Sequence, residues 1–156
     1  MRIKICAVGR IRSGPEKVMV DDYFTRFNRL RHNTGLGPAS LEEVEDRKGG
    51  GISAEAILLE RSIHPGALLV VMDECGESLS SRQIADQLAK WRDDGSREVV
   101  FCIGGPDGIA ESLKVAADFT LSFGRMVWPH KLARVMLAEQ LYRAASILSG
   151  GPYHRD

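Results

Sequence analysis

The sequence predicts a single α/β domain over residues 1–156, with a mostly parallel sheet of five to six strands and helices on both faces. Strand-like and helical segments alternate along the whole chain, which is typical of this class. Residues 67–73 are apolar at every position before Asp73, as an interior parallel strand is. With 156 residues and 44% hydrophobic content, the chain can bury one sizeable core.

The first half of the chain gives two strands and two helices. Residues 2–8 alternate and then become apolar, which predicts a strand ending at Gly9. Pro15 suits a helix first turn, and apolar residues at helical spacing follow up to Leu30. Residues 40–45 predict a short polar strand near an edge of the sheet, and Ser53 is expected to cap the next helix.

The second half continues the alternation after the strand at residues 67–73. Ser80 and Gln83 have the spacing of a capping box, which predicts a helix to about Gly95. Two strands and two helices are expected after it, in chain order strand, helix, strand and helix, at residues 98–103, 112–117, 119–122 and about 131–148.

The last helix is apolar around most of its circumference. We assign its polar side chains to one remaining stripe, and such a helix must be covered on more than one side. A second subunit, as in a two-fold dimer, provides that cover in one interpretation. In the other, this is a central core helix of a single chain. The polar residues of the stripe are Lys131, Arg134, Glu139, Gln140, Arg143 and Ser146.

Charge is unevenly distributed although the net charge is zero. Residues 1–32 contain eight Lys or Arg and three Asp or Glu, and residues 125–156 contain five and two. The intervening residues contain eight basic and sixteen acidic side chains. If the two ends meet, they form one basic face on an acidic body. Scattered solvated charge is the alternative interpretation.

The composition favours a cytoplasmic protein without a membrane span or a metal. No apolar run approaches the ~20 residues of a membrane helix, and no signal peptide is visible. Cys6, Cys75 and Cys102 are odd in number and far apart, and two of them lie in apolar strand-like runs. These features suit buried free thiols in a reducing compartment, and no Cys/His spacing resembles a zinc site.

Three loops are candidates for ligand binding, because ligands of open α/β sheets bind beyond the carboxyl ends of the strands. One follows Met72 and Asp73, the second covers residues 104–108, and the third covers residues 123–130. The sequence has no P-loop, no G-x-G-x-x-G after the first strand and no G-x-S-x-G elbow. P-loop NTPases, dinucleotide dehydrogenases and the simplest hydrolases are therefore disfavoured.

The C-terminal tail contains reactive side chains. Tyr153 can stack on a base, His154 can move a proton, and Arg155 can hold a phosphate or a pyrimidine carbonyl. The alternative is that residues 152–153 simply dock the terminus.

Four segments together resemble one bacterial family. They are IGGPDG at residues 103–108, WPH at 128–130, RVMLAEQLYRA at 134–144 and PYHR at 152–155. The chain resembles the ribosomal RNA large subunit methyltransferase H family, which has the SPOUT class α/β fold with a C-terminal trefoil knot. The resemblance extends over the whole length, including the strand end at Met72 and the terminal tail.

The resemblance implies an enzyme that transfers a methyl group from S-adenosyl-L-methionine to N3 of a pseudouridine in 23S rRNA of the assembled ribosome. It implies a homodimer in which the partner's tail completes the site. By position, the tail residues Tyr153, His154 and Arg155 contact or orient the target nucleobase. His154 is the first candidate for the general base that removes the N3 proton. By the same comparison, the residues lining the cofactor pocket are Met72, Gly105, Phe123, Gly124, Arg125, Met126, Val127 and Trp128.

Two positions depart from the family pattern, and two other functions stay open. Val127 stands where Thr is expected, which removes a hydroxyl contact but keeps backbone contacts, and Asp156 replaces Glu. A SPOUT methyltransferase acting on tRNA is one alternative. A ribosome-binding factor without catalytic activity is the other.

Overall fold

In the computed structural model, which describes residues 1–154, five parallel strands form one sheet in the order β2-β1-β4-β3-β5. The strands are β1 (Arg2–Val8), β2 (Ala39–Val44), β3 (Leu68–Ser78), β4 (Glu98–Ile103) and β5 (Phe119–Ser122). The helices are α1 (Pro15–Arg29), α2 (Arg31–Thr34), α3 (Gly51–Arg61), α4 (Ser81–Asp93), α5 (Glu111–Ala116) and α6 (His130–Leu148).

Helices cover both faces of the sheet, as predicted. Side chains alternate along each strand. In β1, Ile3, Ile5 and Ala7 join a core with α1, α4 and α6, whereas Cys6 and Val8 join a second core with α3 and α5. Every residue of β4, at the centre of the sheet, is buried. The predicted fold class is therefore confirmed for the sheet and its helical layers. The trefoil knot stays a prediction, because strand order and pairing do not define how the chain threads.

Two local predictions are wrong. The helix expected to start behind Ser53 begins at Gly51, with Gly50 at the N-cap and no side-chain cap. The carboxylate of Asp46 accepts hydrogen bonds from the backbone N–H groups of Lys48 and Gly50 and holds the chain just before this helix. The strand expected to end near Asp73 continues to Ser78, with a shift in its pairing to β5.

The last helix is a core element of the chain. It packs against α1 and α4 above the sheet, so one side of the helix belongs to the core of the chain, as the interpretation as a core helix expects. The assignment of one polar stripe is wrong in part, because Arg134 and Ser146 are buried. The packing of α1 on α6 also brings together the two basic ends of the sequence. Cover by a second subunit stays a prediction.

The amino edge of the sheet is closed by ion pairs. The buried carboxylate of Glu98, at the start of β4, lies 3.3 Å from Nε of Arg2 and 2.7 Å from Nδ1 of His64. Burial acts to raise the pKa of Glu98, but the bonds to His64 and Arg2 outweigh it and hold the pKa below its usual value. Nearby, Nζ of the buried Lys4 donates to the carbonyl of Ser62 at 2.8 Å.

The cysteines behave as expected from their positions in the sequence. Cys6 and Cys102 are buried on neighbouring strands, and Cys75 is exposed. Burial raises the pKa of Cys6 to about 12, so this thiol stays protonated at neutral pH. Within the described residues, no helix is long and apolar enough to cross a membrane.

Candidate functional site

The loop after β4 is shaped by glycine. An isolated bridge pairs Gly105 with Gly108, whose N–H donates to the carbonyl of Gly105 at 3.1 Å. A Cβ on Gly104 would lie 2.1 Å from the carbonyl oxygen of Gly108, so no larger residue fits there without moving backbone. The turn can form because glycine lets two backbone segments approach this closely.

The segment after β5 exposes apolar side chains. Met126 is 65% exposed and Val127 is 81% exposed, and Trp128 is also partly open to solvent. Large apolar side chains clustered on a loop at this edge make it a candidate binding surface. Gly124 has a φ of 99°, a left-handed conformation that favours glycine, and it allows the turn that leads into this segment.

Ser122 connects this segment to the irregular part of β3. The carbonyl oxygens of Glu74 and Gly124 each lie 3.1 Å from its hydroxyl oxygen and share its one proton, and the hydroxyl accepts from the N–H of Gly124 at 3.0 Å. Opposite, Oδ2 of Asp73 lies 2.6 Å from Nζ of Lys114. The shifted stretch of β3 is thus fixed on both sides, by β5 and by α5.

The first two turns of α6 contact the end of β1. Arg134 is fully buried and donates from Nη1 to the carbonyl of Gly9 and to the carboxylate of Glu43, each at 2.8 Å. Its Nη2 donates to the carbonyl of Val8. His130 lies one turn earlier on the same helix, and burial together with the charges of Arg134 and Lys131 lowers its pKa. We therefore expect a neutral imidazole at neutral pH.

Negative charge surrounds the loop after β4. The carboxylate oxygens of Glu55 lie 3.0 and 3.1 Å from the position that a Cβ on Gly105 would occupy. Burial raises the pKa of Glu55, and the carboxylates of Asp107 and Asp46 raise it further. Because these three acidic groups repel one another, this part of the edge favours a ligand that brings positive charge.

The tail docks on the side of its own α6. The hydroxyl of Tyr153 donates to Oε1 of Glu139 at 3.1 Å, and its ring packs at a tilt of 54° against the ring of Tyr142, with a centroid distance of 4.5 Å. The guanidinium of Arg143 lies 4.7 Å above the same ring and 3.4 Å from Nδ1 of His154. Burial, with hydrogen bonds to Tyr23 and Glu139, raises the pKa of Tyr153.

A groove of about 480 Å³ runs between α1, α4 and α6. Its walls are mainly apolar, and Phe123 is one of the residues that line it. Glu139, which accepts the hydrogen bond from Tyr153, also lines it. The groove and the loop edge therefore share Phe123, while the groove itself lies on the helical face.

The structure places Met72, Gly105 and Phe123 at one edge of the sheet, and the tail docks on Glu139, which lines the same groove as Phe123. Met72 pairs with Leu121 across β3 and β5, and Gly105 and Phe123 follow the strands on either side of β3. Tyr153 and His154 lie further along α6, and Arg155 lies outside the described residues. Within residues 1–154, no three His, Cys, Asp or Glu side chains form a group that could hold a metal ion.

Sequence reasoning missed Ser122 and Arg134. A serine two residues before a glycine at a strand end is the pattern of a side-chain turn, so Ser122 carried a local signal. Arg134 lies on the helical stripe of Ala138, Leu141 and Ala145, all buried, which is where a cation needs a partner. Neither signal identifies the partner in advance.

Comparison with known proteins gives relatives that span the whole chain. Residues 1–154 match the family described as "Predicted SPOUT methyltransferase". The chain is 61% identical over 155 residues to "Ribosomal RNA large subunit methyltransferase H" of Cereibacter sphaeroides strain ATCC 17025, which covers 99% of each chain. It is 60% identical over 156 residues, 100% of each chain, to the protein of that name from Roseobacter denitrificans.

Solved structures share the fold at low sequence identity. A probable methyltransferase from Bordetella pertussis Tohama I superposes with a TM-score of 0.57 at 16% identity, covering 92% of this chain and 96% of that one. A probable methylase family protein from Haemophilus influenzae Rd KW20 gives 0.51 at 11% identity, covering 99% and 70%. At such identities the likeness establishes the fold alone.

Proposed function

The chain belongs to the SPOUT methyltransferases and, within them, to the ribosomal RNA large subunit methyltransferase H family, and from this premise we propose that it methylates 23S rRNA. The proposed reaction is transfer of a methyl group from S-adenosyl-L-methionine to N3 of a pseudouridine in the assembled ribosome. The observation that carries the proposal is identity of 56–61% over essentially the full length of eight relatives with that name.

The loop edge fits the proposed methyl donor. Gly104 and Gly105 let the loop after β4 turn tightly at this edge, and Met126 and Trp128 offer apolar surface for the adenine ring. The excess of carboxylates around Glu55 suits a sulfonium and an ammonium group. Val127 carries no hydroxyl, so its contribution is restricted to backbone groups and apolar contact. S-adenosyl-L-methionine, when bound, supplies an activated methyl group on sulfur.

The chain's own residues would contribute alignment and removal of the N3 proton. Held in line with the target nitrogen, the donor needs little further activation, because proximity and orientation supply most of the rate. Tyr153 would stack on the base, and His154 would take the proton from N3. Arg155, outside the described residues, would stabilise negative charge on the ring.

A homodimer explains how the tail could meet a pocket. In the described conformation, Tyr153 bonds to Glu139, nine residues or about 13 Å along α6 from His130. The tail of a second subunit therefore remains our candidate for completing the site. The exposure of two large apolar side chains supports a second subunit as their cover. Met19 of α1 and Leu132 of α6 are both more than 40% exposed. We also propose that this protein acts in the cytoplasm.

Parallel methyl-transfer assays test this function. Radiolabelled S-adenosyl-L-methionine is offered with intact ribosomes, free 23S rRNA and tRNA, each isolated from cells that lack this protein, and the methylated nucleoside is identified by mass spectrometry. We expect methylation of pseudouridine in intact ribosomes only. Methylation of tRNA would favour the tRNA alternative, and absence of saturable donor binding by calorimetry would favour a non-catalytic binding factor.

A further inference from the structure

Arg134 joins three segments that are distant in sequence. Among the described residues it is the largest fully buried side chain. Its guanidinium binds the carbonyls of Val8 and Gly9, where β1 ends, and the carboxylate of Glu43 in β2. The same carboxylate accepts the N–H of Ile11 at 2.9 Å. One side chain of α6 therefore fixes the exit of β1 in place.

Both candidate loops meet the chain at Val8 and Gly9. A Cβ on Gly105 would lie 3.2 Å from Cγ1 of Val8, so the loop after β4 packs directly on that side chain. On the other side, a Cβ on Gly9 would lie 3.6 Å from Nε2 of His130, the last residue of the loop at 123–130. The end of β1 is thus the common support of the two loops.

Stability alone is a poor explanation for this cation. A buried ion pair loses about as much solvation energy as it gains in attraction, so apolar replacements are often neutral. Nε of Arg134 is buried and has no hydrogen-bond partner, which adds a cost to folding. What the planar fork does provide is a fixed geometry, because its donors engage separate acceptors at once.

We propose that Arg134 is a positioning residue for methyl transfer. It holds the first turn of α6, and with it the loop of residues 123–130, at a fixed distance from the loop of residues 104–108. Arg134 thereby keeps the donor pocket at the width that the reaction needs. This inference rests on the function proposed above, since it requires that both loops contact the methyl donor.

Substitution of Arg134 tests the inference in the full-length protein. Arg134→Met removes the fork but keeps an unbranched side chain. We expect the dissociation constant for S-adenosyl-L-methionine to rise about tenfold or more, which corresponds to a loss of about 1.4 kcal/mol or more of binding free energy as the two loops move apart. Arg134→Lys keeps the charge and should recover part of the affinity. The KM for the methyl donor should rise while the KM for ribosomes stays unchanged.

Lys4→Met is the matched control, because Lys4 is also buried and bonded to a carbonyl and a carboxylate, but at the amino edge. It should lower the melting temperature and leave donor affinity within about twofold. Donor affinity at the wild-type level in Arg134→Met, or an equal loss of affinity in Lys4→Met, would overturn the inference.

Two further results keep the test decisive. If Arg134→Met does not fold, Arg134→Lys and Glu43→Gln replace it, and donor affinity at the wild-type level in both contradicts the proposal. If the wild-type protein itself neither binds the donor nor methylates ribosomes, the proposed function has failed, and the inference fails with it. Loss restricted to the Arg134 variants supports both.

Discussion

The two edges of the sheet are built differently. At the amino edge, Glu98 is paired with Arg2 and His64, and the backbone leads directly into the strands. At the carboxyl edge, Met126 and Val127 are exposed and Nε of Arg134 is buried without a partner. The polar groups of Glu98 have partners at the amino edge, where we expect no ligand. Exposed apolar groups and an unsatisfied polar atom gather where a ligand is expected to bind.

Removal of residues 152–156 is expected to have the largest effect. Donor affinity should stay normal, because the loop edge is intact, whereas methylation of ribosomes should fall about 100-fold or more through loss of the groups that orient and deprotonate the base. Calorimetry and the methyl-transfer assay measure the two properties separately. Near-normal methylation by the truncated protein would refute a functional tail.

A mixing experiment sharpens the same comparison. Subunits lacking the tail are combined with subunits that retain the tail but have a defective pocket, and neither species methylates alone. If the tail serves the partner's pocket, mixed dimers should regain part of the activity. Absence of activity in verified mixed dimers would place the tail and the pocket in the same subunit.

Gly104→Ala should disrupt the carboxyl edge. Its new Cβ would meet the carbonyl of Gly108 at 2.1 Å, so the loop must shift. We expect a loss of about 1–3 kcal/mol in stability and strongly weakened donor binding. Gly66→Ala at the amino edge is the control, because Gly66 has open space around it and only its positive φ, of 80°, opposes the new side chain. It should cost about 1 kcal/mol and keep donor affinity, as measured by denaturation and calorimetry.

Trp128→Ala should separate binding from folding. Because the side chain is partly exposed, the melting temperature should change little, while donor affinity should fall about tenfold through loss of apolar contact. Val115→Ala, at an exposed position of α5, provides a neutral comparison. Wild-type donor affinity in Trp128→Ala would remove this side chain from the proposed pocket.

Glu98→Gln should affect the amino edge alone, and by the smallest amount. Because its pKa is held below the usual value in the folded state, ionised Glu98 stabilises the protein above about pH 4.5, and this contribution is lost as the pH falls through the folded pKa. The variant should lose about 1–2 kcal/mol at neutral pH and show a flatter decline in acid. Denaturant unfolding across pH measures this, and altered methylation at neutral pH would contradict the separation of the edges.

Much of the fold could be predicted from the sequence because its signals are local. The strands at residues 2–8, 98–103 and 119–122 and the capping box at Ser80 were predicted with the observed bounds, since periodicity and cap residues act within a few positions. The start of α3 was not, because a carboxylate at Asp46, rather than the expected Ser53, holds the preceding turn. The extension of β3 depends on pairing with β5, more than 40 residues later.

The candidate site divides along the same line. The order of the elements, and the edge at which the glycine-rich loops gather, follow from the sequence alone, because parallel strands place their carboxyl ends together. The burial of Arg134 against Glu43, 91 positions away, and the docking of Tyr153 on Glu139 depend on the packing of the folded chain. Strands, helices and caps depend on residues that are neighbours in the sequence, whereas the partner of a buried charge depends on how distant segments pack.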